Sequence, residues 1–209
     1  MRSRVLVAAA LVALVWCGIP VWAGKGDMRA QFGIPYNMPT DDLAEPGERV
    51  QLDDAFGFQA SFEYMVTDKI GVEPALSFTN HDVEVTSAAV PDFDLGEIGY
   101  FAVMSNVNFH VVQEDKMELY VGPTIGIIFW DDLETDLFGT TETFAADDDF
   151  AYGANIGLGI PFGKGKWGFT AGLTWLFTDI TLESEFGTAA EPDLGVDPMR
   201  LNVGVSYKF

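Results

Sequence analysis

The 209-residue chain has one cysteine, two histidines and only 11 lysines and arginines against 32 acids. A single cysteine excludes a disulfide framework, so stability must come from the architecture. A formal net charge of −21 excludes the basic footprint of a nucleic-acid binder. Beyond the first 23 residues no uninterrupted apolar run approaches the length of a membrane-spanning helix, and helical periodicity is poor. What is abundant is equally informative: 17 phenylalanines, 48% hydrophobic residues and a mean hydropathy of +0.16 despite the charge. Disordered chains lack aromatics on this scale. The acids must therefore be concentrated in some segments, leaving others nearly uncharged, in a chain long enough for one domain or two small ones.

The first segment reads as an address. Met1 to Arg4 is a short basic start, Val5 to Trp16 an apolar core, and Val21-Trp22-Ala23 supplies small residues at the −3 and −1 positions of a cleavage site. Residues 1–23 are thus expected to be a cleaved signal peptide. Cys17 lies inside it, and Trp16 before it is too large for a lipidation signal. Cleavage removes Arg2 and Arg4 but no acid, leaving 9 bases against 32 acids, a charge of −23.

Past Ala23 the pattern has a period of two. Apolar residues alternate in eight runs: Met28 to Ile34, Phe56 to Val66, Ile70 to Phe78, Phe101 to Val111, Leu119 to Phe129, Phe150 to Ile160, Trp167 to Phe177 and Met199 to Phe209. Most are about nine to eleven residues or longer, which suits a tilted bilayer span. The connections near Asp68, Glu114 and Lys164 are short, whereas 37–54, 80–97, 131–149 and 183–197 are long. Short turns at one end and long loops at the other form the outer-membrane pattern, and an even strand count allows closure. A secreted lipocalin also has eight alternating strands, but its exterior would carry Lys and Glu. Here the face opposite the apolar one is rich in Gly, Ser and Ala, as a crowded lumen requires. The expected fold is all-β: an eight-stranded antiparallel up-and-down transmembrane β-barrel over 24–209. The aromatic ending at Phe209 resembles the C-terminal signal by which outer-membrane proteins are recognised for assembly, so a barrel-assembly machinery is an expected partner and the outer membrane of a Gram-negative cell the expected location.

The four long segments hold 24 of the 32 acids and a single base, Arg49, so the charge is expected to form an extracellular crown among outer-membrane lipid and lipopolysaccharide. Asp131-Asp132 and Asp147-Asp148-Asp149 are hard oxygen donors, but their spacing matches no calcium loop, and a solvated acidic face is the expectation. No metal or cofactor is expected. His81 and His110 have no serine two residues on, and no Gly-x-Ser-x-Gly elbow occurs, so no enzyme is expected. His81 reads as a polar residue at a loop edge.

Parity places the remaining candidates inside the barrel. The hairpin centred on Asp68 sets Glu63 opposite Glu73, and two facing carboxylates need cations. Arg29 and Lys208 project inward at the same end. The expectation is an ionic plug of Arg29, Glu63, Glu73 and Lys208, with Asn108, His110 and Tyr120 nearby. Higher up, Tyr100, Met104, Ile128, Trp130 and Leu176 face inward as an apolar set, either filling or a well for a small hydrophobic ligand.

Several segments together resemble the OmpW family of small outer-membrane barrels. These are Gly26-Asp27-Met28-Arg29 followed by Pro35 and Pro39; the hairpin from Tyr64 to Glu73; Leu119-Tyr120-Val121-Gly122-Pro123; and Val196-Asp197-Pro198 leading to Gly204-Val205-Ser206-Tyr207-Lys208-Phe209. The chain departs from that family in its more acidic loops and glycine-rich sixth strand. The resemblance implies an eight-stranded barrel whose hydrophobic lumen passes small hydrophobic molecules and releases them sideways into the membrane. The competing expectation is a structural barrel whose acidic loops contact host, phage or lipopolysaccharide.

Overall fold

The computed structural model describes residues 26–40, 48–87, 93–114, 117–137, 140–162, 166–184, 193–195 and 198–209. The expected signal peptide and its cleavage point lie outside these residues, as do the tips 41–47, 88–92, 185–192 and 196–197 of the acidic segments. Eight strands form the wall: β1 (Met28–Met38), β2 (Ala55–Met65), β3 (Ile70–Ser87), β4 (Phe93–Glu114), β5 (Met117–Trp130), β6 (Asp149–Pro161), β7 (Trp167–Phe177) and β8 (Met199–Lys208). Each pairs antiparallel with its neighbours in sequence, and β8 returns to β1 from Arg29↔Lys208 to Met38↔Met199, closing the barrel. Closure leaves no edge strand in the wall, which suits a chain without disulfides.

Within the apolar band the alternation sends side chains to the expected faces. Phe32, Ile34, Phe58, Phe78, Ile125, Phe150 and Trp175 are exposed outward, while Gln31, Ser61, Ser77, Thr124, Asn155 and Ser206 are buried inside. Aromatics gather at both ends of the apolar band. Trp167, Tyr207 and Phe209 meet edge-on in series at the turn end, with centroids 5.0 and 5.2 Å apart, and Tyr152, Trp175 and Phe177 cluster toward the other.

The acidic segments are not plain loops. Where a loop over 80–97 was expected, β3 and β4 continue as a ladder to Val85↔Phe93, with a bulge after Val83. Gly96 lies there at φ 121°, a left-handed conformation that favours glycine. Glu48–Leu52 adds a strand beside this extension of β3. In the third acidic segment, Leu133–Leu137 and Thr140–Ala146 make a hairpin, and Asp179–Ser184 pairs with its second arm. The physical reason is a reversal of polarity. Within the apolar band the apolar residues point out. Above it Asp82, Glu84 and Glu97 point out while Val83 and Ile98 are buried inside. The ladder has left the apolar band and entered water, so the same alternation now buries its apolar face inward.

Candidate functional site

The lumen has two chemically distinct ends. At the turn end, β1 contributes Arg29, β2 Glu63, β3 Glu73, β5 Glu118 and β8 Lys208, all on inward positions. The Arg29 guanidinium donates through Nη2 to Glu63 and through Nη1 to Glu118, and the Lys208 ammonium donates to the other oxygen of Glu118. His110 Nε2 donates to Glu63 Oε1 at 3.0 Å. The pairs Ser61↔Ala75 and Tyr64↔Val72 bracket Glu63 and Glu73 and hold the two carboxyls across from each other. Asn108 separates them: its amide nitrogen donates one hydrogen to Glu63 Oε1 and the other to Glu73 Oε2, both at 2.8 Å. Glu73 otherwise receives neutral donors, Gln31 at 2.8 Å, Ser61, and Asn106 at 3.3 Å.

Arg29, Glu63 and Glu73 are thus brought together as expected. Lys208 joins them through Glu118, a residue the sequence reading did not single out. Its signal was available: Glu118 lies two residues before inward-facing Tyr120 and shares its parity. The Tyr120 ring lies under the Arg29 guanidinium at 5.5 Å and over Gly157, where a Cβ would overlap the ring. Tyr120 and Gly157 are ladder partners on the adjacent strands β5 and β6, and the glycine leaves room for the aromatic side chain to lie over it.

At the loop end the lumen is apolar. Tyr100, Met104, Ile128, Trp130 and Leu176 form one buried cluster with Val83, Ile98, Leu133, Ala146 and Ala151, against which Leu52, Leu95 and Phe144 pack. All five expected residues meet there. The cluster continues upward into the hairpin, whose Leu133 and Ala146 close it from above. Trp130 meets Tyr100 edge-on at 5.0 Å. His81 is not at a loop edge: it is buried on β3, stacked 5.8 Å from Tyr100, with Nδ1 donating to the Asp53 carbonyl at 2.7 Å. The polarity reversal explains this, because Asn80-His81-Asp82 lies in the wall extension and only its outer members meet solvent.

A second lumenal arginine, Arg200 on β8, sits beneath the apolar cluster and was also not singled out. Its Nε donates to Asn37 Oδ1 at 3.0 Å and its Nη2 to the Tyr100 hydroxyl at 3.1 Å. The Tyr100 hydroxyl in turn donates to Asn37 Oδ1 at 3.0 Å. Between the two ends runs a neutral belt in which Asn155 donates to Thr124 at 3.1 Å and Thr124 to Asn106 at 2.8 Å.

The wall itself carries an apolar groove of about 530 Å³ around Pro74 on β3. Outward residues Phe32, Phe62, Leu76, Val103 and Ile127 line it, and its lining also includes Ser61, Ala75 and Met104 of the inner face. Proline has no N–H to give to the ladder, and β2–β3 pairing is interrupted there between Ser61↔Ala75 and Tyr64↔Val72. Among the described residues no group of three His, Cys, Asp or Glu side chains is placed to hold a metal ion.

Comparisons with known proteins follow the architecture. OprG of Pseudomonas aeruginosa superposes with a TM-score of 0.68 at 17% identity, over 88% of this chain and 96% of that one. Neisserial surface protein A superposes with a TM-score of 0.52 at 12% identity, over 88% and 97%. At such identities the likeness is one of fold. No curated sequence is similar enough to count as a relative. The profile of the outer membrane protein beta-barrel domain matches residues 9–209, nearly the whole chain, and with a closed barrel whose outer wall is apolar, this protein belongs to that outer-membrane family.

Proposed function

We propose that the protein is a passive outer-membrane entry route for small hydrophobic molecules, which enter the apolar loop end of the lumen and leave sideways through the wall near Pro74. The observation that carries this reading is the groove, which brings Met104 of the buried apolar cluster and lipid-facing Phe62 and Val103 into one lining. The ionic network supports it from below. A lumen sealed by Arg29, Glu63, Glu118 and Lys208 offers an apolar solute no path straight through, so a sideways exit into lipid is the favourable one. The resemblance to the OmpW family agrees with this direction of transfer. The side chains of the loop end are closely packed, so a ligand takes its place by displacing them. Met104 is the most adaptable of the five, having a flexible thioether.

The test uses Trp130. With lipid-facing Trp167 and Trp175 replaced by Phe, toluene is titrated into the barrel in nanodiscs. The reading expects a saturable change in Trp130 emission. A change that rises linearly with toluene, as partition into the bilayer alone produces, refutes it. The competing reading, a structural barrel that acts through its acidic loops, draws support from the filled loop end and predicts that linear outcome.

A further inference from the structure

We propose that Arg200 is a head-group site of the lumen, taking the carboxylate of a small apolar acid. This names a substrate class for the route proposed above and rests on that reading. The observation behind it is a charge without a counter-charge among the described residues. Arg200 is 3% exposed, and its three hydrogen-bond acceptors, Asn37, Tyr100 and Gln59, are all neutral. At the other end of the lumen Arg29 and Lys208 each meet carboxylates, whereas Arg200 makes no ion pair among the described residues. A guanidinium does not lose its proton, and a buried charge is costly unless it is paired.

The fork has capacity to spare. Of its five N–H donors three are placed, and the Nη1 bond to Gln59 Oε1 is long at 3.4 Å. A carboxylate replacing Gln59 would be held by two parallel N–H groups, the geometry to which guanidinium is matched. A second donor lies beside it. Ser77 is the ladder partner of Gln59, is 3% exposed, and its hydroxyl has no hydrogen-bond partner. Space adjoins the fork on the other side, where Arg200 pairs with Thr174 and its neighbour Asn202 pairs with Gly172. A Cβ at Gly172 would meet only the backbone of Ile156 and Gly157, so no side chain covers it. Gln59, Thr174 and Asn202 face inward yet are only half-buried, as residues bordering an opening are. The apolar part of the ligand then borders Tyr100, Trp130 and Met104. A single carboxylate fits better than a polyanion, because the acidic crown repels anions in proportion to their charge.

The experiment is isothermal titration of the barrel in nanodiscs with benzoate and with benzamide, a neutral molecule of nearly the same shape, against empty nanodiscs. Native protein is expected to bind benzoate about tenfold more tightly than benzamide, as a charge-assisted pair provides. Arg200→Gln should abolish that preference while leaving benzamide affinity unchanged. Arg200→Lys, which keeps the charge and loses the fork, should retain only part of it, and it serves if the glutamine variant does not fold. Equal affinity of native protein for the two compounds, or an undiminished preference for benzoate in the folded variants, overturns the proposal and leaves hydrophobic entry standing. Binding of neither compound removes both.

Discussion

Replacing Arg29 by methionine removes the cation that holds both Glu63 and Glu118 at the turn end. Methionine occupies much of the stem's volume, so the effect is mainly electrostatic. Glu63 is left buried with His110 and Asn108, while Glu118, half-buried, keeps Lys208. Breaking a buried pair by removing one partner costs about 3–5 kcal/mol, since the other charge remains in a poorly solvated site. A partly exposed pair is worth about 1 kcal/mol or less. We therefore expect Arg29→Met to lose about 3 kcal/mol, and Glu63→Gln introduced with it to recover most of that loss. Glu118→Gln should recover much less. The assay is guanidinium unfolding in lipid vesicles, read by tryptophan emission, with the midpoint shift converted at constant slope and the two double-mutant cycles closed. A loss below about 1 kcal/mol for Arg29→Met, or equal recovery by the two glutamine changes, refutes the assignment of Glu63 as the principal partner.

Three further outcomes follow from the same geometry. Trp130→Ala should cost about 3–5 kcal/mol in that assay because it empties the centre of the apolar cluster, whereas Trp175→Phe on the lipid face should cost less than about 1 kcal/mol. Gly157→Ala should destabilise by about 1–3 kcal/mol, since its methyl group meets the Tyr120 ring, and Tyr120→Ala in the same chain should remove most of the penalty. Leu133→Asp places a carboxylate in the apolar cap above the barrel. Amide exchange should then accelerate in 133–146 while protection in β1 and β8 stays at the native level, and loss of protection throughout the wall would show that cap and barrel fold as one unit.

The candidate site was legible in the sequence as far as parity reaches. Once Tyr120 faces inward, Glu118 must also, and once Asn202 does, so must Arg200. Both passed unremarked because parity gives a side chain's direction and not its partner. Lys208 illustrates the limit: its inward position followed from the final strand, but its acceptor is on β5, across the lumen, and depends on how the strands stagger around the barrel. His81 failed for a different reason. An acidic stretch reads as loop when apolar residues are expected to face lipid, and only the height of the ladder reveals that water lies outside it there.

By itself the sequence determined the strand number, the alternation, the segregation of 24 acids into four segments, and the inward set at both ends of the lumen. These are consequences of a period of two and of charge that cannot enter an apolar layer, and both are local properties of a chain. The tertiary structure decided the rest. Closure of β8 onto β1 set Arg29 and Lys208 against Glu118, the β5–β6 register placed Tyr120 over Gly157, and passage of β3 and β4 beyond the apolar band turned a would-be loop into the wall of a cap. Arg200 shows the difference most clearly, because a lumenal arginine is readable from parity, but that its hydrogen-bond acceptors are neutral depends on the strands that surround it.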